Sequence, residues 1–128
     1  MAIRILQLGS PRARGEGLRV GTVRRPPRGV PKSEFASRDY YDVWLPNLSP
    51  SPALVQRALA ARDARTWNAF VRDFRREMAR PEASHLLDLL AALSHHTNLA
   101  IGCYCEAEAR CHRQVLRALL AERGASVA

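Results

Sequence analysis

The chain has 128 residues, 47% hydrophobic and 25% charged, with a formal net charge of +8. That length fits one domain, residues 1–128, with a real hydrophobic core, and the balance is ordinary for a globular protein. No apolar run approaches the roughly 18 residues that span a bilayer, so no membrane partner is expected, and the N-terminus lacks the apolar core and cleavage site of a secretory signal. The three cysteines fall within nine residues, 103–111. An odd, clustered set argues against a disulfide scaffold and for a reducing, cytoplasmic location.

Of the 20 basic residues 19 are arginine, and Lys32 stands alone. Residues 1–32 hold eight bases against one acid, Glu16, a net of +7, while residues 33–128 hold twelve against eleven. A basic segment of this kind attracts phosphates, whether on nucleic acid or on a small ligand, or is simply a solvated loop.

In chain order, Ile3 to Leu8 reads as a strand stopped by Gly9-Ser10-Pro11, and Leu18 to Val23 as a second. Arg24-Arg-Pro-Pro-Arg-Gly-Val-Pro-Lys32 must be an extended basic loop, because its prolines and glycine fix the backbone and remove donors. Asp42 to Leu45 is a brief strand-like segment. Ser51 as N-cap and Pro52 at the first helical position open a helix lined by Leu54, Val55, Ala58 and Leu59. Thr66 is expected to cap the next helix, whose Trp67, Phe70, Val71, Phe74 and Met78 recur at helical spacing before Pro81 ends it. A third helix, Ser84 to Leu93, presents Leu86, Leu87, Leu90 and Leu93 inward. Residues 94–98 turn into a strand over 99–105, and a last helix runs from about Ala109 to Arg123, ended by Gly124. Ser126 to Ala128 reads as a short edge strand. Helix, strand, helix implies an α/β fold: a small three-layer domain with a short, mainly parallel sheet flanked by about four helices.

In order along the chain come Pro27-Arg28-Gly29 and Lys32, Asp42-Val-Trp-Leu45, Ser49-Pro-Ser51, Trp67 and Phe70, then Cys103-Tyr-Cys-Glu and Cys111-His-Arg113. This set resembles the bacterial domain-of-unknown-function family 488, in its short YeaO-like branch. Members of that branch often carry an Asp-Arg pair and a Trp before the Pro-Arg-Gly, where this chain has Val23-Arg24 and Pro26. The resemblance implies a compact α/β domain and a soluble bacterial protein, and no agreed activity.

Ligands of parallel α/β sheets gather where strand carboxyl ends meet helix N-termini, which directs attention to the junction of the strand 99–105 with the last helix. Cys111 and His112 are the candidate catalytic residues there, and Arg113, Arg24, Arg28 and Tyr104 the candidate ligand-binding ones. Guanidinium forks beside a helix N-terminus suit a small anion or a nucleotide phosphate, although Glu106 and Glu108 in the same turn oppose an anion. A thiol enzyme or redox protein is the alternative: His112, Arg113 and the helix should favour a thiolate at Cys111, while Cys103 and Cys105 lie at the limit of disulfide geometry. Cys103, Cys105, Cys111 and His112 also invite zinc. Adjacent residues on a helix diverge by about 100°, however, which sets Cys111 and His112 against one ion, so no metal or cofactor is expected. A nucleic-acid or protein-binding module rests on the basic segment 1–32 alone, with no recognition motif. The structural alternative is that His112 and Arg113 merely tie the loop 24–32 to the helix.

Overall fold

The computed structural model describes residues 1–128 and contains four strands and four α-helices. The strands are β1 (Ile3–Gln7), β2 (Leu18–Gly21), β3 (Val43–Trp44) and β4 (Leu99–Cys103). The helices are α1 (Pro52–Ala60), α2 (Ala64–Met78), α3 (Pro81–Leu93) and α4 (His112–Glu122). All strand pairs are parallel, in the order β1-β4-β2-β3. This is the α/β architecture expected from the sequence. No helix is long and apolar enough to cross a membrane.

β4 is fully buried along its length, as a central parallel strand with both faces covered should be. It pairs with β1 from Ile3↔Leu99 to Gln7↔Cys103 and with β2 from Leu18↔Leu99 to Gly21↔Gly102. One face of the sheet, carrying Ile3, Val20, Leu99 and Ile101, shares a core with residues from all four helices, among them Leu54, Phe70, Leu87 and Leu116. Each fully buried Phe or Leu in that core contributes roughly 1.5–3 kcal/mol.

The layer on the other face is built of loops. Arg19 lies there, 0% exposed, with a bidentate ion pair to Glu16 at 2.8 and 2.9 Å; its Nη1 donates to the carbonyls of Ser10 and Asp39. Gly21 is required beside it, because a Cβ would enter the ring of Tyr41.

Several boundaries differ from the sequence reading, each for a local reason. Asp63, not Thr66, caps α2: the Thr66 amide donates to Asp63 Oδ1 at 2.9 Å, and the Thr66 hydroxyl accepts from the Asp63 amide in a capping box. Pro81 begins α3 as its first residue rather than ending α2. Leu59 and Leu93 are 73% and 37% exposed instead of facing the core. α4 starts at His112, after a separate 3-10 turn over Glu108–Arg110. The C-terminal edge strand reduces to one parallel bridge, Val127 to Ile3.

Candidate functional site

β1, β2, β3 and β4 end at the same edge of the sheet, and the chain leaving β4 builds the site there. Alternation along an extended backbone puts Cys103 and Cys105 on one side, and their Sγ atoms lie 3.8 Å apart. After the 3-10 turn, Cys111 adopts an extended conformation (φ −125°, ψ 146°) outside the helix. Its side chain therefore escapes the 100° spacing of helical neighbours. Cys111 Sγ sits 3.9 Å from Nδ1 of His112, and the ligand atoms of Cys103, Cys111 and His112 all lie within 4.8 Å of one another. The expectation that Cys111 and His112 diverge is corrected by this extended residue.

His112 is held from three sides. Its Nε2 is 2.6 Å from the carbonyl oxygen of Thr22. A carbonyl only accepts, so Nε2 carries the proton and Nδ1 keeps its lone pair toward Cys111. The ring meets Phe74 edge-on, with centroids 5.8 Å apart. Burial pushes its pKa down to about 4, against the opposing effect of the Thr22 carbonyl. The imidazole is thus neutral at physiological pH.

The three thiols act as a unit. Hydrogen bonds from Cys103 and Cys111, assisted by the charge of Arg113, hold Cys105 well below the ordinary thiol range despite its burial. Hydrogen bonding to Cys103 and Cys105, together with burial, pushes Cys111 up. Cys103 is also raised, chiefly by its bond to Cys105. The thiol pushed down is therefore Cys105, and Cys111, where the depression was expected, is pushed up. Both Cys103 and Cys111 are buried and only Cys105 is partly open to solvent; all three are free cysteines.

A cavity of about 340 Å³ opens above this cluster. Its floor is formed by the three cysteines and His112, and its walls by Val23, Tyr104 and the Val55–Leu59 side of α1. Arg24, Arg25 and Arg110 also line it. Arg24 donates from Nε and Nη2 to the carbonyls of Pro50 and Ser49, both at 3.0 Å, which fixes the basic loop to the start of α1. The Tyr104 hydroxyl donates to the Arg25 carbonyl at 2.9 Å and closes the loop over the strand end. Arg110 reaches the Asp63 carbonyl at 3.3 Å and lies over the Trp67 ring.

Of the residues singled out from sequence, the structure brings Cys111, His112, Arg24 and Tyr104 to the cavity. Arg28 is exposed on the loop and does not line it. Arg113 does not line it either. It is 3% exposed, donates from Nη2 to the Glu106 carbonyl at 3.0 Å, and leaves Nε without a partner. Sequence reasoning missed Arg25, Arg110 and the Thr22 carbonyl. It also missed the burial of Arg113, for which a signal existed: the side chain shares a helical stripe with Leu116 and Leu120, at i+3 and i+7. Two of the eight bases in residues 1–32 are ion-paired within the chain, Arg12 on Asp42 and Asp39, and Arg19 on Glu16.

Fold and site together describe an α/β protein with a ligand-sized cleft at the carboxyl edge of a parallel sheet. A family model described as the active DUF488-N3 subclade matches residues 3–124, and the chain belongs to the DUF488 family. Neither the curated proteins nor the solved structures gave a significant match.

Proposed function

We propose that the protein binds a small anionic ligand, bearing phosphate or carboxylate, in the cavity above the β4–α4 junction. The observation that carries this reading is a 340 Å³ cleft lined by Arg24, Arg25 and Arg110 and by no acidic side chain. Guanidinium groups at the carboxyl edge of a parallel sheet are matched to oxyanions by both charge and fork geometry. The apolar wall from α1, Val55 and Leu59, gives the non-ionic part of such a ligand somewhere to lie. The description of the matched subclade as active is in keeping with a working site. A cytoplasmic setting, which keeps thiols reduced, agrees with three free cysteines.

A panel of nucleotides, sugar phosphates and carboxylates, screened by thermal shift and followed by calorimetry, tests the reading. A saturable ligand is expected, with affinity reduced about tenfold or more by Arg25→Ala, the loss of one hydrogen bond to a charged group. Arg28→Ala, outside the cavity, should leave it unchanged. Absence of any saturable anion would overturn the proposal. Thiol chemistry at the cavity floor is the second reading, favoured by the partly open Cys105 against its two buried neighbours. It predicts that Cys105→Ala abolishes turnover while leaving anion binding intact.

A further inference from the structure

We propose that Cys103, Cys105, Cys111 and His112 form a tetrahedral site for a soft or borderline metal ion of the zinc class, with the buried Arg113 balancing its charge. The inference stands on the geometry of the cluster and holds whether or not an anion enters the cavity above it.

Three independent features converge on this. The first is spacing. Zinc–sulfur and zinc–nitrogen bonds of about 2.3 and 2.0–2.1 Å set tetrahedral edges of about 3.8 Å between sulfurs and about 3.6 Å between sulfur and nitrogen. Here Cys103 Sγ and Cys105 Sγ are 3.8 Å apart and Cys111 Sγ and His112 Nδ1 are 3.9 Å apart. The ligand atoms of Cys103, Cys111 and His112 fall within 4.8 Å of one another, and Cys105 joins this group through its contact with Cys103.

The second is the histidine's second nitrogen. A metal-bound imidazole almost always donates its other N–H to a carbonyl or carboxylate, which fixes the tautomer and aims the lone pair. His112 makes that bond to the Thr22 carbonyl at 2.6 Å, and the nitrogen left free is the one facing the thiols.

The third is charge. A dication with three thiolates and a neutral imidazole carries one net negative charge. Arg113, 3% exposed and with no salt-bridged carboxylate, has only the Cys105 sulfur and the more distant Glu108 to offset its charge. Such a charge is costly alone, and a thiolate–metal centre beside it supplies the missing partner. On uptake each S–H replaced by a sulfur–metal bond releases its proton to solvent, and no oxidant or reductant is involved. Nitrogen and sulfur donors in a tetrahedral array select zinc, or iron in a sulfur-rich site, over magnesium or calcium.

The test is anaerobic titration of the reduced, metal-free protein with Co²⁺, followed by competition with Zn²⁺. Expected is one equivalent of Co²⁺ giving near-ultraviolet sulfur-to-cobalt charge transfer and the intense visible bands of tetrahedral cobalt, both abolished when Zn²⁺ displaces it. Cys105→Ala, at the most open position and so least disruptive to folding, should weaken the sulfur-to-cobalt charge transfer and the affinity, since water replaces one of three thiolates. Arg113→Met should keep it with affinity weakened about 10–100-fold, as for other groups outside the ligand set. No uptake, or only the weak spectrum of octahedral cobalt without charge transfer, would overturn the site. An unchanged spectrum in Cys105→Ala would overturn the ligand set. Anion binding measured on the same metal-free and metal-loaded samples separates failure here from failure of the cavity reading.

Discussion

Arg19 and Arg113 are both buried arginines, at 0% and 3% exposure, and the protein treats them in opposite ways. Arg19 sits under the loop layer with a bidentate carboxylate and two carbonyls around its guanidinium. Arg113 sits beside the thiol cluster with one carbonyl, an idle Nε and no carboxylate. A satisfied buried charge is a clamp: it joins the loop 8–17 to the sheet and asks for nothing further. An unsatisfied one marks a place that awaits negative charge from elsewhere. The contrast separates the structural side of the sheet from the edge where we propose a site.

Glu16→Gln tests the clamp most severely. It leaves Arg19 buried and uncompensated, and a loss of about 3–5 kcal/mol in urea denaturation is expected. The same pair gives a pH signature. Arg19, through its hydrogen bonds, holds the Glu16 carboxyl below its ordinary value of 4.5, against the opposing effect of burial. The stabilisation is fully present above that ordinary value and is lost as pH falls through the lower folded one. Wild type should therefore lose stability more steeply than Glu16→Gln below about pH 4.5, with the two acid-denaturation curves converging; parallel curves would show that the pair does not govern acid unfolding.

Gly21→Ala asks whether the loop layer is seated as closely as it looks. The added methyl collides with Tyr41, and overpacking of this kind costs about 1–3 kcal/mol, read as a lower denaturation midpoint with unchanged slope. The smallest effect is expected at Arg113→Met. In reduced, metal-free protein it removes a buried charge that has no salt-bridged carboxylate, and stability should stay within about 1 kcal/mol of wild type. A loss as large as that of Glu16→Gln would make Arg113 a second clamp and erase the comparison.

The sequence disclosed the class of fold, the helices and the neighbourhood of the site, because these depend on local periodicity and on punctuation by proline and glycine. Pro52 and Gly124 mark their helix ends as read. It did not disclose what depends on distant partners. Nothing local says that the His112 ring meets the Thr22 carbonyl, 90 residues away. The weight placed on Cys111 as a thiolate assumed a position inside a helix, and the extended backbone of that residue changes both its direction and its neighbours. Arg25 and Arg110 were passed over because charge on a loop or a short turn reads as solvated until a cavity is seen between them.

The position of β4 has a kinetic consequence. It is the last strand in the sequence, yet it fills the gap between β1 and β2, so Ile3 waits for Leu99 and Leu18 waits for the same residue. During synthesis β1 has no sheet partner, and β2 has only the two-residue β3, until residues 99–103 emerge, and pairing across such separations is slow. The thiols of Cys103, Cys105 and Cys111 are then brought together only in the final step of folding. A chain halted before β4 leaves β1 unpaired and β2 open on one side, and has no site at all.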